Sequence, residues 1–185
     1  MLAIGRVGIA LGLCLSIGQA WAPPDAAAPR AIRNFHRVNE HVFRGAQPSL
    51  VGLEELGALG IKQVIDLREP GPATTFEQEQ VKKLGIKYIN VPFPQLSAPS
   101  DDQIRTVLKL LASKDVPTFI HCRRGKDRTG TVIACYRMQH DGWDNRKALR
   151  EARLYGMSSF ERAMQHYILQ FSPVRMPELV SVIPR

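Results

Sequence analysis

Apolar residues follow two alternating rhythms from about residue 36 to residue 171. One is a short continuous apolar run, seen in KQVIDL, KYINV and VPTFIH, which is the pattern of strands buried on both faces. NFHRV and HVFRG read as two further short strands around a turn at Asn39 and Glu40. The other rhythm is helical. In SLVGLEELGALG, Leu50, Leu53, Leu56 and Leu59 recur at three-residue steps and predict one buried helix face, with Ser49 as N-cap and Gly60 as the stop. TFEQEQVKKLG predicts a helix ending at Gly85. DDQIRTVLKLLAS predicts one that opens on two acids, which complement the helix dipole. TGTVIACYRMQH, NRKALREARLYG and SSFERAMQHYILQF predict three more, while REPGPAT and PFPQLSAPS read as loops. Strands alternating with helices predict an α/β fold: a single domain with a central mainly parallel sheet flanked by helices. In such a sheet, ligands bind beyond the carboxyl ends of the strands.

Composition narrows the class. The chain has 185 residues, 44% hydrophobic and 23% charged, ordinary for a globular domain and unlike disordered or fibrous chains. A net charge of +8 favours anionic partners such as phosphorylated molecules. A nucleic-acid partner is not expected, because basic residues are not interleaved with aromatics in any recognition motif. At the N-terminus, MLAIGR carries a positive charge, VGIALGLCLSIG is apolar but too short to span a bilayer well, and GQA and AWA offer small residues for cleavage. Residues 1–22 therefore read as a secretory signal peptide, with cleavage after Ala20 favoured over Ala22, where Pro23 would follow. The expected destination is the periplasm or the exterior, with no transmembrane domain in the mature form. The alternative is an anchor formed by an uncleaved N-terminal segment. Residues 23–33 read as a Pro/Ala-rich linker, 34–172 as the folded domain and 173–185 as a C-terminal tail. The three cysteines, Cys14, Cys122 and Cys135, form no CxxC or Cys/His spacing, so neither a zinc site nor a disulfide framework is expected.

The chemistry concentrates in HCRRGKDRTG, residues 121–130, placed between strand VPTFI and helix TVIACY. A loop running from a strand into a helix turns backbone N–H groups inward, and the helix start adds positive dipole, which together make an anion site. Gly125 allows close backbone approach and Gly130 eases entry into the helix. Arg128 can hold two oxygens of a phosphate through its planar fork. Cys122 lies at the base, where these donors favour its thiolate. A nucleophile inside a phosphate cradle implies covalent phosphoryl transfer. A Walker A loop is rejected: Gly125-Lys126 is followed by Asp127, and position 120 is Ile.

These residues resemble the HCxxGxxR[ST]G signature of cysteine-dependent protein tyrosine and dual-specificity phosphatases. FRGAQPS and VIDLRE are similar to segments of the small bacterial and plant/fungal atypical dual-specificity phosphatases. The resemblance implies that residues 34–172 are a phosphatase domain of dual-specificity-phosphatase-like fold. It implies that Cys122 forms a phosphocysteine, that Arg128 and the loop amides hold the phosphate, and that Thr129 assists the thiolate and its release. His121 would be an orienting residue behind the cysteine. No metal or other cofactor is implied. Arg123, Arg124, Gly125, Lys126 and Gly130 are the accompanying substrate-binding candidates.

The general acid stays open. Asp127 lies inside the loop, as in the myotubularin-like CxxGxDR pattern, and Asp101 and Asp102 follow the upstream loop. Arg44 and Gln47 are candidates to approach the same mouth, and Asp66 reads as a structural hydrogen-bond partner. The leading function is hydrolysis of phosphate monoesters in proteins: phosphotyrosine, with phosphoserine or phosphothreonine as an extension. The alternatives are an inositol phosphate or phosphoinositide phosphatase, favoured by the extra cations and the KDR triplet, and a phosphate-binding module without turnover. The expected partner is thus a phosphorylated protein or an inositol phosphate, and the oligomeric state is open.

Overall fold

The computed structural model describes residues 29–173. The expected signal peptide, most of the linker and nearly all of the tail lie outside the described residues. Five strands, β1 (His36–Arg37), β2 (Val42–Ala46), β3 (Gln63–Asp66), β4 (Lys87–Asn90) and β5 (Thr118–Cys122), form one sheet in the order β1-β2-β5-β3-β4. β2, β5, β3 and β4 run parallel, and only the edge strand β1 is antiparallel. Six helices surround it: α1 (Leu50–Ala58), α2 (Pro72–Lys83), α3 (Asp101–Leu111), α4 (Asp127–Asp141), α5 (Asn145–Leu154) and α6 (Arg162–Gln170).

The strand period of two splits the apolar residues between the two faces. Phe43, Val64 and Phe119 pack with Leu53 and Leu56 of α1 and Val81 of α2. Val42, Ile65 and Ile120 pack with α3, α4, α5 and α6. Helices thus cover both faces, as a mainly parallel sheet requires. β5, buried throughout, lies between β2 and β3. The register pairs Ala46 with Cys122 and Asp66 with His121, so the ends of three strands converge on the residue that begins the HCRRGKDRTG loop.

Local signals account for the boundaries. The Ser49 hydroxyl accepts the Gly52 N–H at 3.2 Å, and Ser100 and Gln103 cap α3 reciprocally. α2 begins at Pro72, inside the stretch expected as a loop, because proline suits the first helical turn and the Thr74 hydroxyl accepts the Gly71 N–H at 2.8 Å. α6 begins at Arg162 rather than at the expected Ser158. Leu53 and Leu56 are buried, but Leu50 is 52% exposed. A three-residue step falls about 60° short of a full helical turn, so three such steps carry Leu50 to the side opposite Leu59.

The expected linker 23–33 overlaps the domain. Ile32 is buried among the α1-side apolar residues, the amides of Arg30 and Ala31 donate to Glu55, and the Arg33 carbonyl accepts the Ala46 N–H at 2.8 Å. Among the described residues, no helix is long and apolar enough to cross a membrane.

Candidate active site

Cys122 ends β5, and the chain turns through residues 123–126 before α4 begins at Asp127. A buried strand end and the start of a 15-residue helix therefore face each other across the loop. Burial alone would raise the thiol pKa. The hydroxyl and amide of Thr129, the charge of Arg128 and the amide of Arg124 outweigh it and hold Cys122 below the ordinary thiol value. Cys135 shows the contrast: buried in α4, its thiol is pushed far up by desolvation, with the charge of Asp101 adding to it.

Arg128 is 8% exposed. Its Nη1 donates to the carbonyls of Leu67, at 3.2 Å, and Phe93, at 3.5 Å, just beyond β3 and β4. A guanidinium carries five N–H donors, so this anchorage leaves the rest of the fork for a ligand. A pocket of about 740 Å³ opens here, lined by Cys122, Arg123, Arg124, Lys126, Asp127 and Arg128. Arg33, Asn34, Gln95, Leu96 and Glu161 also line it.

Gly125 and Gly130 take different places. Gly125 has φ of 66°, and a Cβ there would fall 2.3 Å from the Gly45 carbonyl carbon. It permits the loop to lie on β2. Gly130 is already inside α4, where an added Cβ would meet Met157 and Ala152. Its smallness lets α4 and α5 pack closely, and it does not line the pocket, contrary to its expected substrate-binding role.

The acid candidates also separate. Asp101 accepts the Tyr167 hydroxyl at 2.8 Å and Asp102 pairs with Arg105 at 2.5 Å. Both start α3 and neither lines the 740 Å³ pocket. Their place at a helix start, held by α6 and by the next turn of α3, corrects the alternative that either supplies the proton. Asp127 does line the pocket. Its Oδ1 accepts the Ser158 N–H at 2.8 Å, and its Oδ2 lies 3.4 Å from Arg124 Nη2.

His121 is fully buried behind the loop, its ring stacked on Phe119. Nδ1 lies 3.4 Å from the Cys122 carbonyl, and Nε2 lies 2.8 Å from Glu77 and 4.0 Å from Asp66. Burial disfavours the imidazolium, but the two carboxylates prevail and raise its pKa. Arg68 ties the same carboxylates together, at 2.5 Å from Asp66 and 2.7 Å from Glu77, and Tyr88 donates to Asp66 at 2.6 Å. Asp66, Glu77 and His121 bring donor atoms together as a metal site would, yet the Arg68 guanidinium already supplies their counter-charge.

Arg44 departs from expectation. It lies on strand β2, as expected of HVFRG, but beneath the loop, 1% exposed, not at its mouth. Gln47 touches the loop through its backbone, its N–H donating to Arg123 O at 3.4 Å. Sequence reasoning passed over Asn34, whose Nδ2 donates to Gly125 O at 2.8 Å and Tyr155 O at 3.1 Å. It also passed over Glu77. The available signal was spacing: Thr74, Glu77 and Val81 lie on one helical face, and all three are buried.

A cysteine whose pKa is lowered, at the end of a central parallel strand, with an arginine six residues on and a helix start above it, is the site arrangement of a cysteine-dependent phosphatase of the dual-specificity type. The chain belongs to the family PTP-NADK, the DSP-PTPase phosphatase fused to NAD+ kinase, whose model matches residues 28–170. Among curated relatives, the dual specificity protein phosphatase TpbA of Pseudomonas aeruginosa (strain UCBPP-PA14) is 27% identical, covering 79% of this chain and 66% of its own. The inositol diphosphatase DSP2 of Oryza sativa subsp. japonica is 32% identical, covering 69% of this chain and 64% of its own. The chain therefore spans just under two thirds of the length of each. The crystal structure of P. aeruginosa TpbA shares the fold, with a TM-score of 0.67 at 24% identity over 84% of this chain and 92% of that one.

Proposed function

We propose that the protein hydrolyses phosphate monoesters, phosphotyrosine foremost, through a phosphocysteine intermediate on Cys122. The observation that carries this reading is Cys122, its pKa lowered by Thr129, Arg128 and the Arg124 amide against the opposing effect of burial, in a pocket lined by Arg128 and the loop cations. The sulfur attacks phosphorus, an S–P bond forms and the ester P–O bond breaks. Asp127 supplies a proton to the departing oxygen through Oδ2, whose contact with Arg124 is a loose 3.4 Å. Water then attacks phosphorus, returns a proton to Asp127 and releases the sulfur, with the Thr129 hydroxyl beside it. Arg128 and the loop amides bind the phosphoryl oxygens throughout.

The test is turnover of phosphotyrosine peptides, phosphoserine peptides and inositol polyphosphates at matched concentration. Phosphotyrosine turnover abolished by Cys122→Ser supports the reading, and equal turnover by that variant defeats it. One observation favours a second reading. Arg33, Arg123, Arg124, Lys126 and Arg128 all line the pocket, more positive charge than one phosphate requires, and preferential turnover of inositol polyphosphates would select it. Export, expected from residues 1–22, is part of the proposal and is tested by fractionating cells that express the full chain.

A further inference from the structure

The phosphate loop is held from below by two donors that converge on one oxygen. Arg44 Nη2 donates to the Gly125 carbonyl at 2.8 Å, and Asn34 Nδ2 donates to the same atom at 2.8 Å. Arg44 is brought there by β2, which pairs with β5 up to Ala46 and Cys122, and by the Tyr155 ring, 4.8 Å from its guanidinium carbon. Asn34 is brought there by a left-handed backbone, with φ of 54°, which asparagine tolerates better than most residues. Its Oδ1 lies 3.1 Å from His36 Nε2, which orients the amide with Nδ2 toward the loop. Arg44 Nε and Nη1 are buried without hydrogen-bond partners. A buried arginine with unused donors is costly as a purely structural choice.

We propose that Arg44 and Asn34 are positioning residues for phosphate binding, acting as a clamp on the Gly125 carbonyl that turns the Lys126 N–H into the cradle. The peptide joining Gly125 to Lys126 is planar and trans, so its C=O and N–H point in opposite directions. Drawing the oxygen down toward β2 and Asn34 sends the N–H up into the pocket that Lys126 lines. Gly125 makes this possible: its positive φ and lack of a side chain let the loop rest on Gly45. The inference rests on the reading of this pocket as a phosphate site.

Inorganic phosphate is the probe, followed by its affinity and by the Lys126 amide in proton–nitrogen NMR spectra. In the wild type, saturating phosphate moves the Lys126 amide proton downfield. Asn34→Ala weakens phosphate binding by about tenfold and Arg44→Met by about tenfold to a hundredfold, the ranges of a neutral and a charged hydrogen bond. Both variants lose most of the Lys126 displacement, and Arg44→Lys recovers part of it. Folded variants with wild-type phosphate affinity and a wild-type Lys126 response overturn the clamp. If Arg44→Met does not fold, Asn34→Ala decides, because Asn34 is only half-buried. Aryl phosphate turnover by the wild type is measured in parallel. No turnover with a Lys126 response that needs both residues removes the phosphatase reading and leaves the clamp. Turnover without any Lys126 response removes the clamp and leaves the phosphatase reading.

Discussion

The Asp127 carboxylate accepts the backbone N–H of Ser158 at 2.8 Å, joining the first residue of α4 to the loop between α5 and α6. That loop carries Glu161, which lines the same pocket. Asp127 therefore has two separable duties: a tether through Oδ1 and, as proposed, a proton donor through Oδ2. Asp127→Asn keeps an oxygen for Ser158 but cannot supply the proton. We expect it to fold normally, to lose about 10²-fold in kcat on phosphotyrosine peptides, and to lose the basic limb of its pH–rate profile. Asp127→Ala removes the tether as well and should also raise KM. Retention of the basic limb in Asp127→Asn would transfer the acid role to Glu161, the other carboxylate lining the pocket.

The two described cysteines should differ in reactivity with the same reagent. Cys122 is held below the ordinary thiol pKa by Thr129, Arg128 and the Arg124 amide, whereas desolvation pushes Cys135 far above it. The sign is direct: a lowered pKa means thiolate persists to lower pH. Iodoacetamide at neutral pH should label Cys122 and leave Cys135 unmodified in the folded protein, as read by peptide mass. Thr129→Val removes the hydroxyl and should move the pH midpoint of Cys122 alkylation upward. An unmoved midpoint would show that the Thr129 amide and Arg128 suffice.

Most of this site could be read before the fold was known, because its residues are contiguous. A strand, a glycine-containing loop and a helix encode the Cys122–Arg128 geometry locally, and the apolar rhythms encode a sheet to present it. What could not be read is what the sheet brings from a distance. Arg44 reaches Gly125 across 81 residues and Asn34 across 91, through a β2–β5 register that no local signal specifies. Leu50 misled because a repeat of three looks helical while drifting around the axis. Asp101 and Asp102 looked equally available as acids. The Tyr167 hydroxyl and Arg105 that occupy them come from α6 and the next turn of α3.

Arg128 should not tolerate lysine. Its Nη1 is committed to the carbonyls of Leu67 and Phe93, so the guanidinium plane is fixed before a ligand arrives. Lysine keeps the charge but offers one point of contact in place of a fork. We expect Arg128→Lys to lower kcat/KM by about 10²-fold or more, the scale of losing a transition-state donor, with a smaller loss in phosphate affinity. A mild effect on both would show that bidentate binding is not required.

The buried network behind the cysteine predicts a pH dependence of stability. His121 lies between Glu77 and Asp66, and its pKa is raised above 6.5, whereas Asp66, partnered by His121, Arg68 and Tyr88, has its pKa lowered below 3.8. A raised folded-state pKa means that the His121 contribution is fully present below about 6.5, its unfolded value, and is lost as pH rises through the folded value. The Asp66 contribution runs the other way: it is present above about 3.9 and lost as pH falls below that. Stability measured by urea unfolding should therefore decline on the alkaline side of 6.5. Glu77→Gln removes one carboxylate facing His121 and an ion-pair partner of Arg68. It should cost about 3–5 kcal/mol, the range for breaking a buried pair from one side, and should flatten the alkaline decline because the imidazolium is no longer favoured. A Glu77→Gln protein that loses stability yet keeps the full decline would leave Asp66 as the partner that sets the charge of His121.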